Sequence, residues 1–354
     1  MARPRIFAPT SMVATSPTGD TTLSFLHRVQ NVNTTANIGP QDVMELGRYA
    51  PVDRVNMDAP TVPMSVECLL AGTDGTSLNA TKMGLTCTSG VGCLSGILNE
   101  VATVNEKDVY LLFHEDGSQA AGNSTWDGAI GVGNWRLGSW EMSARVGDTP
   151  RESFNGEGSN YVVTATGGMT MPHVDNNGTR SNTEITFGAA PDTTAATTPV
   201  LRASDVVVTI SNSDDMVPGF DGTTTSNVPV QSVRIALDLG RTPQFGLGQL
   251  FRKNSFSNFP IRVTCDIEVN PKDIAGSFDL WDQLSSPTTR TITVIVQNGS
   301  AKGVRYDLIG ARLDSTNYAD AVGNSTSTST VTWVTSIGEA DDSSNNLYIY
   351  AVGS

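Results

Sequence analysis

Nucleophilic catalysis needs a serine or cysteine beside a base, and this chain of 354 residues offers only three histidines for that role, His27, His114 and His173. His27 alternates within a strand-like segment and reads as structural. His114-Glu115-Asp116-Gly117 starts like a zinc-protease helix, but no second histidine follows one turn on, so a two-histidine face cannot form. His173 lies in a polar turn. Of the four cysteines, Cys68 and Cys265 sit in apolar, alternating segments and read as small buried hydrophobes. Cys87 and Cys93 lie in a Gly/Ser/Thr stretch, where a local disulfide or no bond at all fits equally well; their spacing lacks the paired pattern of a zinc site. Gly90-Val91-Gly92-Cys93-Leu94-Ser95-Gly96 has one residue too many for a dinucleotide cradle. Asp214-Asp215 and Asp341-Asp342 lack calcium-loop spacing and read as solvated turns. The sequons at Asn123 and Asn324 occur in an Asn/Ser/Thr-rich chain and carry no weight. The expectation is a protein that is not an enzyme, with no catalytic, cofactor-binding or metal-ligating residue and no cofactor.

Composition narrows the remaining classes. There are 22 basic and 36 acidic side chains, a net charge of −14, which argues against a surface that holds nucleic acid by phosphate contacts. No run approaches the ~18 apolar residues of a membrane helix, so no membrane insertion is expected. Met1 to Pro9 has two arginines but no apolar h-region, unlike a secretory signal.

The elements that would position any site repeat. Pro63 precedes Cys68 by the interval at which Pro260 precedes Cys265, in strands of period two. Upstream lie Leu46-Gly47 and Leu247-Gly248; before them come Phe25 to Asn33 and Val233 to Arg241. Downstream, Tyr110 to Asp116 parallels Thr293 to Gly299. Trp135 to Asp148 parallels Arg305 to Ser315, meeting at Ala144-Arg145-Val146 and Ala311-Arg312-Leu313, and Tyr161 to Gly168 parallels Val331 to Gly338. Residues 1–167 and 168–354 each contribute −7 to the net charge. The reading is a domain duplication, with an insertion of about 30 residues in the first copy.

Short segments rich in Val, Ile, Thr and aromatics between Gly/Asn/Asp/Ser clusters predict a mainly β chain. A helix is signalled from Asn270-Pro271 to Leu284 by an N-cap, a first-turn proline and an apolar face. The expected organisation is an N-terminal arm (1–20), a first β domain (21–168) with its insertion at about 71–106, a linker or extended loop (169–200), and a second β domain (201–354).

Pro229 to Val269 runs strand, Leu-Gly turn, basic and aromatic segment, then proline-led strand. A helix follows, then the strands Thr293 to Gly299 and Tyr306 to Ser315 and a final Thr-rich strand. In that order the chain resembles the tail tube proteins of long-tailed bacteriophages; Glu45 to Leu70 carries a weaker version. The resemblance implies two tandem tail-tube-like β-sandwich or barrel domains, each with a short flanking helix. It also implies self-association into trimeric, pseudo-sixfold rings stacked as a tube. The partners would be a sheath or terminator, a tape measure and a baseplate, and the location the virion, after synthesis in the host bacterial cytoplasm. Genomic DNA would pass through an acidic lumen without specific binding. A tandem β-sandwich decoration or surface-binding, adhesin-like protein is the competing expectation.

Overall fold

The computed structural model describes residues 11–56, 60–72, 78–98, 106–114, 126–165, 168–189, 200–211, 230–252, 254–269, 289–298, 302–319, 328–340 and 342–353. The chain is mainly β and antiparallel. Its first half forms β1 (Ser11–Pro17), β2 (Ser24–Phe25), β3 (Val29–Thr34), β4 (Pro40–Val43), β5 (Asp53–Asn56), β6 (Val62–Leu69), two single-turn helices α1 (Asn79–Lys82) and α2 (Ser95–Leu98), β7 (Lys107–Phe113), β8 (Gly128–Arg145), β9 (Arg151–Gly158), β10 (Asn160–Thr164), β11 (Gly168–Thr170) and β12 (Glu184–Thr186). The second forms β13 (Val206–Ile210), β14 (Val230–Asp238), β15 (Thr242–Gln244), β16 (Asn254–Phe256), β17 (Ile261–Val269), β18 (Arg290–Gln297), β19 (Gly303–Ala319), β20 (Thr328–Ile337) and β21 (Asn346–Val352).

Strict alternation sets the layers. In β17, Ile261, Val263, Cys265, Ile267 and Val269 are buried while the residues between them face outward, as the pleat requires. Eight strands build one sheet in the order β3-β6-β9-β8-β14-β17-β20-β19. The two longest strands, β8 and β19, leave it at their N-terminal ends to join second layers, β10-β8-β7-β1-β2 and β21-β19-β18-β13. Trp140, Trp333, Tyr306 and Phe154 fill a core that runs through both halves. Tyr110, Leu112, Met171 and Phe187 form a smaller second cluster.

Strand pairing fixes how the halves correspond. Val29 opposes Cys68 with an irregularity before Asn31, and Val230 opposes Val269 with an irregularity before Ser232. The separation of 201 residues from Val29 to Val230 holds through β6 and β17, so Val66 answers Ile267 and Leu46-Gly47 answers Leu247-Gly248. Both Gly47 and Gly248 have positive φ. Further on the separation is 176: bulges at Leu137/Ser139 and Leu313/Ser315 make Arg136 answer Arg312. β7 and β18 stand 183 apart, so the first copy's excess is 18 residues between β6 and β7 and 7 between β7 and β8.

This corrects several sequence matches. The Pro63/Pro260 and Cys68/Cys265 coincidence is four residues out of step: Met64 answers Cys265 and Cys68 answers Val269. An even slip keeps every side chain on its own face, which is why the period-two pattern did not expose it. Ala144-Arg145 does not answer Ala311-Arg312; Trp135-Arg136 does. Tyr161 to Thr164 belongs to β10, whose counterpart is β21, whereas Val331 to Ile337 lies in β20, the counterpart of β9. Residues 11–17, read as part of an arm, are a sheet strand with Val13 and Ala14 buried. Residues 168–189, read as linker, carry β11 and β12, and Met169, Met171, Ile185 and Phe187 close the second cluster. Apolar residues interleaved with threonine, asparagine and glycine masked that cover in the sequence. The helix expected over 270–284 lies outside the described residues.

One repeated backbone position shows two solutions to the same strain. Asn134 (φ 53°) and Gly310 (φ 71°) are equivalents, both left-handed. Asparagine tolerates that region, and the Asn134 side chain donates to Glu106 Oε2 (2.9 Å) and accepts from the Val174 amide (2.8 Å). Gly310 has no room for a Cβ, which would strike the Ser344 carbonyl. Gly310→Ala is expected to destabilise the chain by about 2 kcal/mol, read as a lower urea midpoint at unchanged slope. An unchanged midpoint would contradict the packing there.

Candidate functional site

The histidines and cysteines do not converge. His27 Nε2 lies 2.7 Å from Lys82 Nζ, His114 Nδ1 lies 3.4 Å from Asp127, and His173 Nδ1 lies 3.4 Å from the buried Asp108. Burial lifts Asp108 above the usual carboxylate range, and its hydrogen bond in turn raises His173. All four cysteines are free thiols in the interior; burial pushes Cys87 up to about 12 and Cys93 higher still. Among the described residues no three His, Cys, Asp or Glu side chains gather as metal ligands, and no helix is long and apolar enough to cross a membrane.

The concentrated chemistry lies at the joint between the halves. There the C-terminal part of β8 pairs with β14 over Ser139–Arg145 and Ser232–Asp238, so the two four-stranded units form one sheet. The hairpin β15–β16 of the second half then folds back on the first. Arg136, nearly buried, pairs with Glu106 and donates through Nη1 to Asn254 Oδ1 (2.8 Å). Arg252 Nη2 donates to the Asn134 carbonyl (2.8 Å), and its Nη1 lies 3.4 Å from Glu157. Arg241 Nη1 donates to the Ser255 carbonyl (3.2 Å) and Nε to the Leu137 carbonyl. Burial, with Arg136 and Arg252 close by, lowers Arg241 to about 10. A cleft of about 590 Å³ opens beside this network, lined by Glu106, Arg136, His173, Arg252 and Asn254 among others. Three guanidiniums against two carboxylates, most of them desolvated, make this a rigid polar lock: removing one partner would strand the other.

Two further features bear on assembly. The β4–β5 hairpin carries Leu46 and Tyr49 fully exposed at its tip, and the β15–β16 hairpin carries Leu247 the same way. On the outward face of the eight-stranded sheet three arginines lie against carboxylates: Arg151 with Glu67 (2.7 Å), Arg234 with Glu141 (2.8 Å) and Asp266 (3.2 Å), Arg262 with Asp314 (3.0 Å). Sequence reasoning gave none of Arg136, Arg241 and Arg252 a role. The recurrence of Arg-Leu-x-Ser at Arg136 and Arg312 was the available signal.

Fold and joint together define a duplicated, antiparallel β protein whose two halves share a sheet. No family model and no curated protein matches the sequence. Among solved structures, one similar chain comes from a cryo-EM structure of the baseplate of the anti-feeding prophage, six-fold symmetrised. The match has 12% identity and a TM-score of 0.22, covering 42% of this chain and 91% of that one; so slight a likeness has no bearing on fold or function.

Proposed function

We propose that this protein is a structural, non-enzymatic subunit of a long-tailed phage tail, three chains forming each pseudo-sixfold ring and the rings stacking into the tube through which genomic DNA passes. One observation carries the reading. Two equivalent four-stranded units are joined edge to edge, and among the described residues the eight-stranded sheet they make ends in two unpaired edges, β3 and the C-terminal part of β19. Globular proteins blunt or cover such edges because bare ones recruit other chains; a ring subunit needs them. The outward sheet face suits a conduit. A wall of free arginines would grip a duplex, since neutralising 6–10 phosphates changes affinity by roughly 10³–10⁵ over a modest salt range. Three arginines of that face are already committed to Glu67, Glu141, Asp266 and Asp314 and have little left to offer phosphate, and the net −14 repels it. Assembly with tape measure, baseplate and sheath or terminator proteins belongs to the same reading.

A surface-binding or decoration role has one observation in its favour, aromatic rings bare to solvent, among them Tyr49 at a hairpin tip and Phe245; Trp126, Trp135 and Trp140 are buried. Negative-stain microscopy of the purified chain separates the readings. Rings or short tubes with a central hole are expected; compact particles without an opening would overturn the proposal.

A further inference from the structure

The joint inside the chain is a template for the joint between chains. β8 has β9 on one side of its C-terminal part and β14 on the other. Among the described residues its counterpart β19 has β20 on the first side and no strand on the second, and β3, the counterpart of β14, has β6 and no strand beyond. We infer that β19 of one copy pairs antiparallel with β3 of a second copy of this chain, in the register of β8 with β14, and that the β4–β5 hairpin docks beside it as β15–β16 docks within the chain. The inference deepens the ring proposal and rests on self-association.

Carrying the correspondence over gives definite contacts. Glu141 opposite Ala236 becomes Asn317 opposite Thr35 of the next copy. Both of these are exposed, and their in-chain counterparts are directly opposed. The polar lock translates with informative substitutions. Arg136 becomes Arg312, and its acceptor Asn254 becomes Asp53. Its partner Glu106 becomes Thr289, which carries no charge. Arg312 thus lacks the in-domain carboxylate that neutralises Arg136, and the neighbour's hairpin supplies one in its place. Among the described residues no ion pair involves Arg312, which lies exposed on the open edge. Arg241 and Arg252, which rivet the in-chain hairpin, become Pro40 and Pro51. The contact between chains therefore keeps the sheet pairing and one ion pair but loses two anchoring guanidiniums, so it is weaker than the joint within the chain. This makes a head-to-tail contact, which closes into a ring when the rotation allows.

Oxidative cross-linking of the full chain tests the register. β3 and β19 are separated by seven strand spacings of ~4.8 Å, about 34 Å, so a bond between Thr35→Cys and Asn317→Cys in one sheet must join two molecules. The native thiols are buried and do not compete. Mild oxidation of the double variant is expected to give covalent multimers on a non-reducing gel, with at least a fivefold lower yield from Thr35→Cys with Ser315→Cys, two residues out of register. Arg312→Glu is expected to abolish multimers without altering the melting of the subunit, and Asp53→Arg in the same chain to restore them. Equal linking by both cysteine pairs, or no rescue by the charge swap, would overturn the inference. Rings visible by microscopy with no linking would overturn this contact alone, whereas monomers throughout would overturn the ring reading with it.

Discussion

Trp140→Ala is expected to destabilise the whole chain by about 3–5 kcal/mol, the usual cost of removing a buried tryptophan, against a typical domain stability of only ~5–15 kcal/mol. Trp140 is 1% exposed. It stands between Phe154 on β9 and Leu237 on β14, with its ring centroid 5.8 Å from that of Tyr306 in the second half. One side chain thus packs against strands of both copies. Its counterpart Thr316 lies exposed on the open edge of β19, where no second unit covers it. The core is continuous across the joint, so the two halves should unfold together: urea transitions followed by far-ultraviolet dichroism and by fluorescence of the remaining tryptophans should coincide, in the variant as in the parent. A loss below 1 kcal/mol would show that the site is loosely filled. A variant losing only half its dichroism at the lower midpoint would show halves that fold apart. Trp140→Phe should recover part of the loss.

How far the sequence carried depended on what each signal encodes. Alternation in Ile261 to Val269 and Val62 to Leu69 specifies a half-buried strand, because inward and outward places differ in polarity at every step. It does not specify register, because a slip of two or four residues leaves the pattern intact. The Pro63/Pro260 match therefore looked sound and was wrong. The usable markers were residues whose backbone or contacts are singular. Gly47 and Gly248 hold the same left-handed turn, with Arg48 and Gln249 amides donating to the Glu45 and Gly246 carbonyls (3.2 and 3.1 Å). Val29-Gln30-Asn31-Val32 and Val230-Gln231-Ser232-Val233 carry the same bulge. Arg136-Leu137 and Arg312-Leu313 mark where β8 and β19 change layers. The polar joint was illegible for another reason. Glu106, Arg136, Arg241 and Arg252 are scattered over almost 150 positions, and only the edge-to-edge union of the halves brings them together.

Glu152 gives the largest expected pH effect. It points inward from β9 and is 4% exposed, opposite Cys68 on β6 and Met142 on β8. Burial pushes its carboxyl from 4.5 up to about 7, with Trp140 and Lys82 pulling weakly the other way. A carboxyl whose folded value is raised holds its proton more tightly in the native state. Its stabilising share is complete below pH 4.5 and is lost as pH rises to about 7. At ~1.4 kcal/mol per unit, the loss across that window is about 3 kcal/mol. Ser329 occupies the same place in the second half, so the fold does not require a charge there. Glu152→Gln removes the titration and keeps the shape. Urea unfolding of parent and variant should give similar stabilities at pH 4.5 and a variant more stable by up to about 3 kcal/mol at pH 8. Taking the difference between the two proteins cancels the other titrating groups, Asp108 and His173 included. A difference that stays constant from pH 4.5 to 8 would mean that Glu152 titrates alike in folded and unfolded chains, and so that water reaches it beneath β8.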